Sequence, residues 1–317
     1  MTRILETKNL TKAYGSLKAL DQVSISINQG DIYGLIGRNG AGKTSLLKII
    51  CGMTRQSAGD YFIFGQASAK LSLANGRIAS LIENPGIYPS LNARDHIELR
   101  AKALGIKDRN IATKSLNQVG LGQVGKKPVK SFSLGMKQRL GIAMALVGSP
   151  DLVLLDEPMN GLDPQGIVEI RQLVQELNAT EHVTFMISSH ILGELQKLAN
   201  CFGILEEGRL LGEIDSESLA EKNRDRIELV TNEASRALPV LDSLGLKQYK
   251  VVDPRKIYIF EGLNRTGDIA LALAKANLPI ESINFHSRSL EEYYLSLNRE
   301  FMATNADQAG EEEHEHA

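Results

Sequence analysis

Short, nearly unbroken apolar runs punctuate the first two thirds of the chain. Ile32–Ile36, Leu152–Leu155 and Val183–Ile187 carry no regular polar alternation. Runs of that length predict strands buried on both faces, the pattern of a parallel sheet. The first run ends in the glycine-rich stretch Gly37–Gly42, and Lys43–Cys51 then reads as a helix. Between Leu91 and Leu121 apolar residues recur at helical spacing with charged positions between them. Near Ser216 the pattern changes. Glu217–Asp225 is charged and reads as a linker-like helix. Beyond it the chain predicts strand Arg226–Thr231, helix Ala234–Leu244, strands Gln248–Val252 and Lys256–Phe260 joined by a turn at Asp253-Pro254-Arg255, helix Asp268–Ala276 and strand Glu281–Phe285. That order is βαββαβ. Ser289–Asn298 closes it as a helix with Leu290, Tyr293, Tyr294 and Leu297 on one face. The predicted divisions are therefore 1–216, 226–298 and a tail, 299–317. After Arg299 the tail has six acidic residues and no Lys or Arg, so it is expected to be disordered. Its His314 and His316 are expected to be solvated rather than metal-bound.

Size and composition narrow the classes. The chain has 317 residues, which at about 150 residues per domain suggests two domains. The charged fraction is 23% and the net charge is -2, so no strong positive field invites nucleic acid. No apolar run approaches the roughly 18 residues that span a bilayer; Leu140–Val147 is among the longest. The opening MTRILETKNL has no apolar leader segment, so no secretory signal is expected. Two cysteines, Cys51 and Cys201, are too few for a disulfide framework and fit the cytosol.

Chemistry enters with Gly37-Arg38-Asn39-Gly40-Ala41-Gly42-Lys43-Thr44, followed by Ser45. It matches the phosphate-loop pattern G-x-x-x-x-G-K-[ST]. Glycines let the backbone turn tightly enough for successive N–H groups to converge on phosphate oxygens. The helix that follows points its positive end at the same anion. Lys43 would neutralise the β- and γ-phosphates, and the Thr44 hydroxyl can ligate Mg²⁺. A tight turn before a helix is the plainer reading, but the strand before and the helix after supply the context a phosphate loop needs. Downstream, Leu152–Leu155 leads into Asp156 and Glu157 at the end of a buried strand. Open α/β sheets bind ligands at that edge. Asp156 would hold Mg²⁺, and Glu157 could polarise an attacking water.

With these two motifs in place, the chain over about Ile4–Ile214 resembles the ATP-binding subunit of an ABC transporter. The resemblance implies an α/β fold: a P-loop ATPase core with an antiparallel β subdomain and a helical subdomain, followed here by the small α+β unit. It also implies roles for further residues. Tyr14 looks like the aromatic that stacks on adenine. Phe132-Ser133-Leu134-Gly135-Met136 is similar to the family signature LSGGQ and keeps Ser133 and Gly135, which would contact the γ-phosphate from across a dimer. Asn160-Gly161-Leu162-Asp163 looks like the loop that crosses between monomers. His190 looks like the switch histidine that bonds the γ-phosphate. The main departure is Glu83, where most of the family has glutamine in contact with Mg²⁺ and water; the resemblance implies that Glu83 meets the nucleotide and Mg²⁺ in its place.

The segment SLIENPGIYPSLNARDHI, with its glutamate, resembles the exporters that protect bacteria from lantibiotics and bacitracin-like peptides. The resemblance implies a Mg²⁺-dependent ATPase that forms a homodimer on ATP binding. It would work with separate transmembrane permease subunits, which make most of the contacts to the transported peptide. It would sit in the cytoplasm against the inner face of the membrane, docking through Asn84–Leu91 and the helical region after them. Other ABC exporters, of drugs, lipids or ions, share most of these motifs. A soluble ABC ATPase acting on ribosomes or DNA fits less well, because the chain has one P-loop, no heptad insertion and no basic surplus.

Overall fold

A computed structural model describes residues 2–67, 77–83, 85–222, 224–286 and 289–315. Asn84 and His316, named above, lie outside the described residues. The chain forms two compact units, Met1–Ser216 with Leu297–Ala317, and Glu217–Ser296.

The first unit opens with β1 (Arg3–Tyr14), β2 (Leu17–Val23), β3 (Ser26–Asn28), β4 (Ile32–Ile36) and α1 (Lys43–Ile50). Next come β5 (Ala58–Ile63), β6 (Gln66–Ala67), β7 (Ile78–Leu81), α2 (Ala93–Ala103), α3 (Ile111–Gln118) and α4 (Leu134–Leu146). It ends with β8 (Leu152–Asp156), α5 (Pro164–Glu181), β9 (Thr184–Ser189), α6 (Leu192–Gln196), β10 (Cys201–Glu206) and β11 (Arg209–Asp215). The central sheet has the order β11-β10-β4-β9-β8-β7. All its pairs are parallel except β10 with β11. Every residue of β4, β8 and β9 is buried, as unbroken apolar runs require of strands covered on both faces. An antiparallel sheet, β2-β1-β5-β6 with β3 on β1, lies beside it. Leu46, Leu47, Ile49 and Ile50 of α1 share one core with Leu5 and Ile27 of that sheet and Leu152 and Met186 of the central one. This packing fixes the helix that starts at Lys43.

The helical stretch expected over Leu91–Leu121 is two helices. Gly105, at φ 72°, turns the chain out of α2, and Asp108 accepts the Asn110 N–H at 2.8 Å before α3 begins. Buried His96 receives the Tyr88 N–H at Nε2 (2.9 Å) and sets Nδ1 2.8 Å from the Asn92 carbonyl, pinning the preceding loop.

After α7 (Ser216–Lys222), the second unit runs β12 (Arg226–Thr231), α8 (Ala234–Ser243), β13 (Tyr249–Asp253), β14 (Lys256–Ile259), α9 (Thr266–Lys275) and β15 (Ile280–His286). Its antiparallel sheet has the order β13-β14-β12-β15. Ile227, Leu229, Ile257 and Ile259 turn one face toward Ala237 and Leu241 of α8 and Ile269 and Leu273 of α9. The closing helix, α10, runs from Leu290 to Glu315 rather than stopping at Asn298. The stretch expected to be disordered is therefore helical through Glu315. Its Glu, Ala, Met and Gln residues are good helix formers and extend an existing helix without a new nucleus.

Candidate active site

The phosphate loop is clamped by its neighbours. A Cβ on Gly37 would lie 2.4 Å from the Leu205 carbonyl oxygen. One on Gly42, at φ 105°, would lie 2.3 Å from that of Ala19. Only glycine fits at either place. Gly40 also has positive φ, 88°, and Asn39 is exposed beside it. The buried Ala41 gives its N–H to the Arg38 carbonyl at 3.1 Å. Helices α2, α4 and α5 each carry a side-chain cap, from Asn92, Ser133 and Asp163. Helix α1 begins at Gly42 with none and has no acidic residue in its first turn. The amides of Lys43, Thr44 and Ser45 are left for an anion to satisfy.

Around this loop the first turn of α1 and the ends of β8 and β9 bring together Lys43, Thr44, Asp156, Glu157 and Ser188. Buried Lys43 donates Nζ to the Gly37 carbonyl at 2.7 Å and the Arg38 carbonyl at 3.2 Å. The same ammonium lies 3.2 Å from Glu157 Oε1, with no aligned hydrogen bond to it. Thr44 Oγ1 donates to Asp156 Oδ2 at 2.8 Å, and Ser188 Oγ donates to Asp156 Oδ1 at 2.5 Å. A hydroxyl and a carboxylate side by side next to a phosphate cradle are the hard oxygen donors that Mg²⁺ takes alongside phosphate oxygens and water. The donor set therefore fits that ion.

Glu157 follows Asp156 with φ 49°, a left-handed conformation that costs a non-glycine residue about 1 kcal/mol or more. Its N–H is held by Ser188 Oγ at 2.9 Å. The turn separates the two carboxylates: Asp156 faces Thr44, and Glu157 faces Lys43 and His190. His190 Nδ1 lies 2.8 Å from Glu157 Oε2. A carboxylate can only accept there, so Nδ1 carries the proton and the imidazole holds Glu157 from the side opposite Lys43.

The other residues expected at the site fall outside this cluster. Ser133 Oγ accepts the Met136 N–H at 3.2 Å as the cap of α4, and its own O–H stays free to donate. Asp163 caps α5 through Gly166 N–H at 2.8 Å. Signature and crossing loop are neighbours within the chain: a Cβ on Gly161 would meet Leu134 at 3.3 Å, and one on Gly135 would meet Leu162 at 3.8 Å. Tyr14 is 49% exposed, with the Lys12 ammonium 4.7 Å from its ring centre. Glu83 does not sit with Thr44 and Asp156. It has φ 62° and pairs with Lys48 at 2.5 Å. The Glu83 hydrogen bond, chiefly, holds Lys48 above the usual lysine range against slight desolvation. The Glu83 charge adds to this, and Tyr14 and Asp156 contribute less.

Sequence reading passed over Ser188 and Lys48. A serine at the end of a buried apolar strand was a visible signal for the first. Lys48 stands four residues after Thr44, on the same helix face, but its partner is 35 residues away in sequence.

The ABC transporter family profile matches residues 20–160. The chain is 42% identical to YcbN, an ABC transporter ATP-binding protein of Bacillus subtilis, over 94% of this chain and 97% of that protein. It is 40% identical to the bacitracin transport ATP-binding protein BcrA of Bacillus licheniformis, over 94% and 98% of the two chains. It is 43% identical to the lantibiotic transport ATP-binding protein SrtF of Streptococcus pyogenes, over 71% and 97%. The solved ATP-binding cassette MJ1267, in its ADP conformation, superposes with a TM-score of 0.64 at 25% identity, covering 71% of this chain and 95% of that one.

Proposed function

The chain belongs to the ATP-binding proteins of ABC transporters and is an ATPase, and on that premise we propose that it powers export of antimicrobial peptides of the bacitracin or lantibiotic kind. Likeness to a bacitracin transport protein through both units carries this reading, and Glu83 supports it. No helix among the described residues is long and apolar enough to cross a membrane. The work therefore passes to separate transmembrane subunits, which make most of the contacts to the peptide, and the chain acts at the cytoplasmic face. A cavity of about 340 Å³ lined by Cys51, Met53, Leu81, Pro85, Arg100 and Met144 lies beside the Glu83 loop. It offers those subunits a seat, with Glu83 reporting the nucleotide state to it.

The catalytic unit is a dimer that closes on ATP. Nothing inside the chain requires glycine at 135, because a Cβ there would meet nothing nearer than 3.8 Å. A helix glycine costs about 1 kcal/mol relative to alanine, so its small size serves a contact outside the chain. Ser133 and Gly135 of one copy meet the phosphates bound at Lys43 of the other, and Asp163 crosses alongside. Tyr14 stacks on the adenine. Thr44 and Asp156 would hold Mg²⁺, which would supply charge neutralisation on the phosphate oxygens.

In this structure Lys43 lies against two carbonyls and Glu157. A triphosphate draws Lys43 away and leaves Glu157 Oε1 free. Water then attacks the γ-phosphorus, the bond to ADP breaks, and the water's proton goes to Glu157. His190 keeps Oε2 occupied, so the proton is taken on the other oxygen. Once the γ-phosphate has gone, the contacts that held the dimer closed are lost.

The test is resistance in cells. Expressed with its membrane subunits, the chain should raise tolerance to bacitracin or a lantibiotic, and Glu157→Gln should abolish that gain. Unchanged tolerance with an active ATPase would remove the cargo assignment and leave the ATPase.

A further inference from the structure

The Lys48–Glu83 pair is not used by the reaction above, yet it sits beside it. Leu81 pairs with Leu155 across the parallel strands β7 and β8. Glu83 thus leaves the same sheet edge as Asp156, and Glu157 follows. That edge carries a third carboxylate, which pairs with Lys48 instead of joining Thr44 and Asp156, next to a site that must admit a triphosphate. Lys43 is committed to the phosphates. Lys48 is the second ammonium there, one turn beyond Thr44 on α1.

The backbone of Glu83 is fixed from both sides. A Cβ on Gly141 of α4 would meet Leu81 and Pro85 at 3.0 Å each, so those flanking residues lie against the helix backbone. The Glu83 side chain is 63% exposed and has Lys48 as its partner. Released from Lys48, its carboxylate would stand as an unpaired negative charge beside the phosphates. A glutamine at this position would carry no such charge.

We propose that Lys48 is a positioning residue that neutralises and holds Glu83, so that the nucleotide site accepts MgATP despite its third carboxylate. The pair is exposed, and exposed pairs add little to stability. Its effect therefore falls on nucleotide affinity rather than on folding. The proposal rests on the reading of this site as the MgATP site.

The test is a double-mutant cycle on the full chain, read as equilibrium binding of MgATP together with kcat and KM. Lys48→Met should weaken MgATP binding about fivefold at low salt, by unscreened repulsion from Glu83. The loss should appear in KM more than in kcat, with an unchanged melting temperature, and should shrink at about 0.5 M salt. Lys48→Arg, which keeps the charge, should bind like the wild type. Adding Glu83→Gln to Lys48→Met should restore affinity to that of Glu83→Gln alone. Wild-type affinity in Lys48→Met overturns the proposal. Equal weakening with and without Glu83→Gln also overturns it, because Lys48 would then act on the nucleotide directly. A wild-type chain that binds no MgATP would remove the site reading itself, a result distinct from both.

Discussion

Strands β4, β8 and β9 of the first unit are buried along their whole length, whereas β12 and β14 of the second alternate buried and half-buried residues. Both units lay helices on a sheet, but the consequences differ. A parallel sheet covered on both faces has no room for polar groups along its strands, so they gather where the strands end. At one such edge lie Asp156, Glu157, Ser188 and the loop that leads to Lys43. The antiparallel sheet buries only one face. Its charged residues spread over the other in small groups, such as Lys256 with Glu228 at 3.3 Å and Arg226 and His286 with Glu292. Similar materials thus gather polar groups at one sheet edge in the first unit and spread them over a sheet face in the second.

The sharpest way to break this comparison is Lys43→Ala. It should lower ATP hydrolysis by at least about 10³-fold, since Lys43 supplies the one buried ammonium among the described residues, beside the proposed phosphate site. Steady-state turnover near wild type would take the reaction centre away from that edge. Glu157→Gln should slow hydrolysis about 10²–10³-fold while keeping MgATP bound, because the amide keeps the shape but cannot take the proton. Light scattering with and without ATP should show a stable ATP-bound dimer, and a monomer in both would count against the shared site.

In the second unit, Leu229→Ala removes a fully buried side chain and should destabilise that unit by about 3 kcal/mol. ATP turnover should hold, and a parallel fall in both would show that the units do not divide the work as described. Gly135→Ala is the smallest change. Its Cβ fits inside the chain and should raise helix stability by up to about 1 kcal/mol. Turnover should nevertheless fall about tenfold, because the methyl group keeps the phosphates from the amide across the dimer. Undiminished turnover would mean that Gly135 faces only solvent.

Much of this was legible in the linear chain because its signals are local. Buried strands show as apolar runs, and β12 stands where the sequence puts it, at Arg226–Thr231. The glycines, Lys43 and Thr44 of the phosphate loop are consecutive. A helix boundary such as Gly105 was harder to see, because one glycine amid helical spacing is a weak stop signal. The length of α10 was misjudged because acidic composition also suits an exposed helix.

By itself, the sequence determined which backbone can turn around a phosphate, which strands are buried and which side chains are candidates for the chemistry. All of these depend on neighbours a few residues away. Only the tertiary structure decided how the carboxylates divide their work. Asp156 went to Thr44 and Ser188, Glu157 to Lys43 and His190, and Glu83 to Lys48. Each of those partnerships joins residues brought together by strand register and helix packing. Charge pairs at distances of a few ångströms, so sequence separation leaves no trace of which cation a carboxylate will meet.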